Sequence, residues 1–213
     1  MVAKRIAAVA LLEIGGIYLA VWPHEVGHSL VAYLFGCKGN WWQTGTTWFL
    51  FNSEGGRIDY ACLRARGGPA LGLTELGGIS VNLLLLMLAP VAGGWWRSGL
   101  DEPVRRLHWV FLATFVWALA NYSEAFSYLV LNTLWLKSDM STVVAESGVS
   151  RWIWFAAGSV LGGLLARWLR NPARTTAASL ARSAESSRAW LRGFIIYVLC
   201  SSVVMAIARG ILR

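Results

Sequence analysis

The chain has 213 residues and a mass of 23.4 kDa; 56% of the residues are hydrophobic, only 14% are charged, and the mean hydropathy is +0.53. Soluble domains carry about 25% charged residues, so the composition argues against an ordinary water-soluble fold, and it excludes intrinsic disorder, which needs low hydrophobicity. The 13 Trp and 22 Gly point to a membrane protein, where Trp gathers at the interfaces and Gly is frequent in helices. The net charge of +8 is spread over the segments between apolar runs. That is loop charge rather than a binding stripe, and no nucleic-acid partner is expected.

Charge-poor stretches fall at Ile6–Trp22 (continuing to Phe35 past a polar cluster), Ile79–Trp96, Leu107–Leu136, Trp152–Ala166 and Gly193–Ala208. They predict an all-α polytopic membrane protein with about five transmembrane helices. A straight helix from Ile6 to Phe35 would be ~45 Å long, beyond the ~30 Å hydrocarbon core. Either Pro23 kinks it, or its buried part starts near Ile14, which puts residues 24–28 near mid-membrane and Glu13 beside the headgroups. Lys4 and Arg5 ahead of an apolar run also resemble a signal peptide, but apolar character resumes at Ser29–Phe35, so an uncleaved anchor is expected.

After the first helix, Trp41–Phe51 is rich in Thr and aromatics and is followed by Asn52-Ser53-Glu54-Gly55-Gly56 and Arg57-Ile58-Asp59-Tyr60. This reads as strand, turn and return strand: a small membrane-associated β-hairpin between the first two helices. Cys37, Cys62 and Cys200 are too few and scattered for a disulfide framework, and buried thiols are expected; a Cys37–Cys62 bridge would require a loop facing an oxidising compartment. Arg167–Arg192 carries six Arg against one Glu, with Asn171-Pro172 ending the preceding helix. It reads as a basic juxtamembrane loop (167–192) that meets anionic lipid.

The chemistry lies in His24-Glu25-Val26-Gly27-His28, an HExxH sequence inside an apolar helical stretch. Residues i and i+4 share a helix face, so two imidazoles can bind one metal while Glu25 reaches the water on it. Two His and a Glu near mid-bilayer are expensive and imply a polar cavity or a bound ion. Catalytic zinc takes three protein ligands plus water, and a carboxylate is the natural third. Glu13 is ~16 Å from His24 along the same helix, too far to share an ion. Asp139, after Asn132-Thr133-Leu134-Trp135-Leu136-Lys137-Ser138, and Glu124, in Asn121-Tyr122-Ser123-Glu124, both remain; local chemistry does not separate them.

His24 through Gly36, with HE-x-GH followed by small and apolar residues and a Phe-Gly pair, resembles the first motif of the site-2 proteases, the intramembrane zinc metalloproteases. Gly77-Gly78-Ile79-Ser80-Val81-Asn82 is similar to the glycine-rich start of that family's second core helix. Asn132 to Asp139 resembles its later motif, in which an Asn precedes the Asp that supplies the third zinc ligand. Two positions depart from the pattern: Trp135 stands near the family's proline, and Met140 follows Asp139 where the family has Gly.

The resemblance implies a compact metalloprotease-like membrane core over 1–145, with accessory C-terminal helices and the basic loop over 146–213. It favours Asp139 over Glu124, giving Zn2+ held by His24, His28 and Asp139. Glu25 would be the general base and Asn132 a hydrogen-bond donor to substrate or oxyanion, with Asn82 the lesser candidate. The expected function is intramembrane proteolysis of membrane-protein substrates in or near their transmembrane segments. The alternatives are a non-catalytic scaffold or substrate-binding relative, and a metal transporter or sensor using His24, His28 and Glu124. Charge counting and the resemblance orient the chain oppositely, so its orientation stays open.

Overall fold

The computed structural model describes residues 2–46, 53–54, 58–92, 107–180 and 184–212. Helix α1 (Val2–Leu34) passes through Pro23 without interruption, so its length, about 50 Å at 1.5 Å per residue, exceeds a bilayer core. It ends where Gly36 turns left-handed (φ 71°) and the N–H groups of Gly36 and Cys37 bond back to the carbonyls of Tyr33 and Ala32, as a glycine-terminated helix does. The side chain of Glu13 lies outside the described residues.

Next come the two-residue strands β1 (Gly45–Thr46) and β2 (Ser53–Glu54), the short helix α2 (Tyr60–Arg66), and α3 (Ala70–Ala92). Helix α4 (Leu107–Phe126) continues through a π-helical turn, Ser127–Asn132, into α5 (Thr133–Trp135). Helix α6 (Ser138–Ser147) follows a sharp reversal; α7 (Arg151–Leu180) and α8 (Ala184–Leu212) complete the chain.

The centre of the fold is a three-helix contact of α1, α3 and α4, with α6 against α3, and α7 and α8 against α4 and the π turn. At the α1–α3 crossing no side chain separates the backbones. A Cβ on Gly77 would lie 2.6 Å from the Gly27 carbonyl oxygen, and one on Gly27 would collide with Gly77. Small residues permit this approach between apolar helices. Gly158 of α7 presses in the same way on the Leu129 carbonyl of the π turn. One apolar cluster joins α3, α4, α7 and α8 through Leu86, Phe115, Leu169 and Phe194, and another joins α3, the π turn and α6 through Ile79, Tyr128, Met140 and Val143.

Several sequence expectations are corrected. Among the described residues, two helices rather than five are long and apolar enough to cross a membrane: Ala70–Ala89 in α3 and Arg151–Ala178 in α7. The other long helices carry polar residues turned inward: His24, Glu25 and His28 on α1, Asn121, Ser123 and Glu124 on α4, and Ser201 and Ser202 on α8 are all buried. The β-hairpin expected over Trp41–Tyr60 does not form as drawn, and two residues on each side are all of it that pairs among the described residues. Gly45–Thr46 pairs with Ser53–Glu54, 47–52 and 55–57 lie outside the described residues, and the expected return strand gives way to Asp59, whose carboxylate caps α2 by accepting from the Cys62 N–H at 2.8 Å. The basic stretch 167–192 is no loop. Helix α7 continues through Pro172 to Leu180 and α8 begins at Ala184, with 181–183 outside the described residues.

The cysteine expectation is also overturned: Cys37 and Cys62 form a disulfide that ties the end of α1 to α2 across 25 residues of sequence. The Asp59 N–H donates to the Cys37 carbonyl beside it at 3.0 Å. Such a bridge persists where this end of the molecule faces an oxidising compartment. Protein from intact cells should therefore leave Cys37 and Cys62 unreactive to maleimide until reduced, while Cys200 is exposed and reacts without reduction. Replacing both bridge cysteines by Ser should lower stability by about 3 kcal/mol, read by thermal unfolding.

Candidate metal centre

His24 and His28 lie one turn apart on α1, and both side chains point into the α1–α3 crossing, where they are 0% and 3% exposed. Asp139, in the first turn of α6 and 1% exposed, reaches them from across the bundle. His24 Nε2 and His28 Nε2 are 3.0 Å apart, and Asp139 Oδ2 lies 3.2 Å from the first and 3.1 Å from the second. Ligand atoms on a tetrahedral zinc, at 2.0–2.2 Å from the ion, are separated by about 3.4 Å. The triangle fits one face of such a coordination sphere after an expansion of a few tenths of an ångström.

The hydrogen bonds around the imidazoles settle which nitrogens face the triangle. The Asn82 amide on α3 donates to the Ala20 carbonyl (2.9 Å) and to Asn121 Oδ1 (2.9 Å). Asn121 in turn donates to the Trp117 carbonyl (2.9 Å). With both its hydrogens used, Asn82 meets His24 through Oδ1, and His24 Nδ1–H donates to it at 2.6 Å. His28 Nδ1–H donates to the Thr74 carbonyl at 2.8 Å. Both rings thus carry their proton on Nδ1 and turn a bare Nε2 lone pair inward, the arrangement by which an outer partner fixes a metal-binding imidazole. Between these rings and the Asp139 carboxylate, either a proton shared with Oδ2 or a metal ion relieves the contact.

The neighbours hold the rings still. Tyr128 of the π turn stacks on His24, with centroids 4.5 Å apart and planes inclined at 14°; π turns of this kind recur at functional sites. Leu136 (φ 50°) and Ser138 (φ 52°) both adopt the left-handed region, which is costly for residues with side chains and persists where the surrounding structure enforces it. That reversal brings Asp139 inward, and Ser138 Oγ donates to Asp139 Oδ1 at 3.1 Å, leaving Oδ2 toward the imidazoles.

The other expected residues are placed as follows. Glu25 is buried, with a carboxylate oxygen within 4.8 Å of ligand nitrogens of His24 and His28. Asn132, at the end of the π turn, is fully buried, and neither atom of its side-chain amide has a hydrogen-bond partner. Glu124 is fully buried on α4 but belongs to neither group of mutually close ligand atoms among the described residues. The geometry thus separates the two acids that local chemistry left equal. Sequence reasoning missed Glu75, whose Oε2 is 3.8 Å from His28 Nδ1, as well as Thr74, Asn121 and Tyr128. Glu75 was visible as a lone acid ahead of an apolar run, but that run was taken to begin at Ile79, whereas α3 starts at Ala70.

Gly78 bounds the site on the α3 side. A Cβ there would lie 2.6 Å from His24 Nε2 and 2.7 Å from His28 Nε2. Gly78→Ala should therefore abolish metal binding while every ligand remains, as measured by metal content of the purified protein. Asn82→Leu, which frees the His24 tautomer, should weaken metal affinity by about 10- to 100-fold in a chelator competition.

Compared with known proteins, the chain matches no family model, no curated protein and no solved structure.

Proposed function

We propose that this protein is a membrane-embedded zinc metallopeptidase that hydrolyses peptide bonds in or near the transmembrane segments of other membrane proteins. The observation that carries the reading is the buried convergence of His24 Nε2, His28 Nε2 and Asp139 Oδ2 at 3.0 to 3.2 Å, with the Glu25 carboxylate beside them. Two imidazoles and one carboxylate are a donor set that suits zinc and leaves a fourth position open. The likeness of the three motifs to those of the site-2 proteases supports the same reading.

A zinc ion held there supplies a more acidic water and a Lewis-acid pull on a carbonyl. The chain's own residues do the rest. Glu25 accepts the proton that the attacking water loses, and delivers it to the departing amine nitrogen as the C–N bond breaks. Asn82 and the Thr74 carbonyl hold the imidazoles in the tautomer that keeps Nε2 available throughout. The unsatisfied Asn132 amide donates to a substrate carbonyl; a buried amide without partners costs several kcal/mol, which the substrate relieves. A substrate helix must unwind locally to offer its peptide bond, because a helical carbonyl and N–H are already paired.

The setting fits a bilayer. Helix α7 presents Ile153, Val160 and Leu164, each more than 60% exposed or close to it, as a lipid-facing strip. The exposed Arg167, Arg170 and Arg174 of α7 and Arg188 and Arg192 of α8 meet anionic headgroups.

Purified protein supplied with zinc should cleave a membrane-helix substrate, and Glu25→Gln should reduce the rate by at least about 100-fold while metal content stays near one ion per chain. Asp139→Ala should lose the metal and Glu124→Ala should keep it. Intact metal binding without cleavage of any helix substrate would favour a binding or scaffold protein. Metal lost with Glu124→Ala but kept with Asp139→Ala would favour a transporter.

A further inference from the structure

Glu75 is an acid within a helix whose stretch Ala70–Ala89 is apolar enough to cross a membrane, and it is only 7% exposed. An ionisable group in that position is expensive and is retained where it has a charge to meet. Its carboxylate Oε2 stands 3.8 Å from His28 Nδ1, on the edge of the ring that faces away from His24 and Asp139. The distance is too long for a hydrogen bond, and the Nδ1 proton already goes to the Thr74 carbonyl at 2.8 Å. Glu75 therefore acts on this ring through charge. Ligand atoms of Glu75, His28 and Asp139 all lie within 4.8 Å of one another, so the carboxylate belongs to the surroundings of the same centre.

We infer that Glu75 is a positioning residue of the metal centre, which acts through His28 to hold the imidazole as a strong ligand; this rests on the metallopeptidase reading above. An imidazole bound to a dication takes on positive character along its Nδ1 edge. An anion at that edge stabilises the bound form and raises the basicity of Nε2, as outer carboxylates do in histidine–zinc sites. Thr74 and Glu75 are consecutive on α3, so one turn of helix supplies both the hydrogen bond and the charge.

The test compares wild type with Glu75→Gln and Glu75→Asp in the full-length purified protein. Zinc affinity is read by chelator competition, the ligand field by the visible absorption of the cobalt-substituted form, and folding by thermal unfolding without metal. Glu75→Gln keeps the shape and removes the charge, and should weaken zinc binding by about 10- to 100-fold and shift the cobalt bands, with metal-free unfolding unchanged. Glu75→Asp keeps the charge and should recover most of the affinity. Wild-type affinity and spectrum in Glu75→Gln would overturn the inference and leave the metallopeptidase reading standing. If Glu75→Gln unfolds early, Glu75→Asp decides: affinity as weak as that of the Gln variant overturns the inference. Failure of the wild type to bind zinc would overturn the inference and the reading it rests on together.

Discussion

Two imidazole nitrogens and a carboxylate oxygen are held together in the buried interior of the helix bundle, and the rest of the structure is organised around that contact. The ring protons on the opposite edges are committed to Asn82 and to the Thr74 carbonyl, so at 3.0 to 3.2 Å neutral rings set acceptor against acceptor, and a proton or a metal ion between them relieves the repulsion. The restraint comes from four elements: α1 supplies the imidazoles, α3 their outer partners, α4 the amide that orients Asn82, and α6 the carboxylate.

That arrangement is possible because the helices meet without side chains between them. The contact of Gly27 with Gly77 lets α1 and α3 touch backbone to backbone, and Gly78 presents a bare Cα where any side chain would fill the place of an ion. The π turn at 127–132 then redirects α4 at the level of the site, which lays Tyr128 flat against His24. Beyond it, the left-handed residues Leu136 and Ser138 swing α6 back across the bundle. Local cost is accepted at these points because the packed helices on either side allow no other path.

Polar groups inside and apolar groups outside invert the pattern of a soluble protein around this centre. Ser201 Oγ donates to Ser123 Oγ at 3.0 Å, and Ser202 Oγ to the Ser123 carbonyl at 3.3 Å, so α8 is fastened to α4 by hydroxyls rather than by apolar packing alone. Among the described residues α3 and α7 are long and apolar enough to form a span, and α3 is so although it turns Thr74, Glu75 and Asn82 inward.

The helical placement of His24, Glu25 and His28 on one face could be read from the sequence, because a spacing of four fixes side-chain direction within a single helix. A predominantly helical, apolar chain was equally legible in its composition. The sequence alone left Asp139 and Glu124 level, since nothing local distinguishes two acids so distant in sequence from the imidazoles; a left-handed reversal before α6 brings one of them in, and the other stays in the α4 interior. The number of spans, the hairpin, the basic loop and the pairing of Cys37 with Cys62 were misread for a related reason. Each depends on which partner a segment meets, and Asp59 capping a helix or Ser123 bonding α8 leaves no periodic trace. Glu75, Thr74 and Asn121 belong to the same class: their positions beside the imidazoles are set by a glycine crossing between distant segments, and only the folded chain brings those segments into contact.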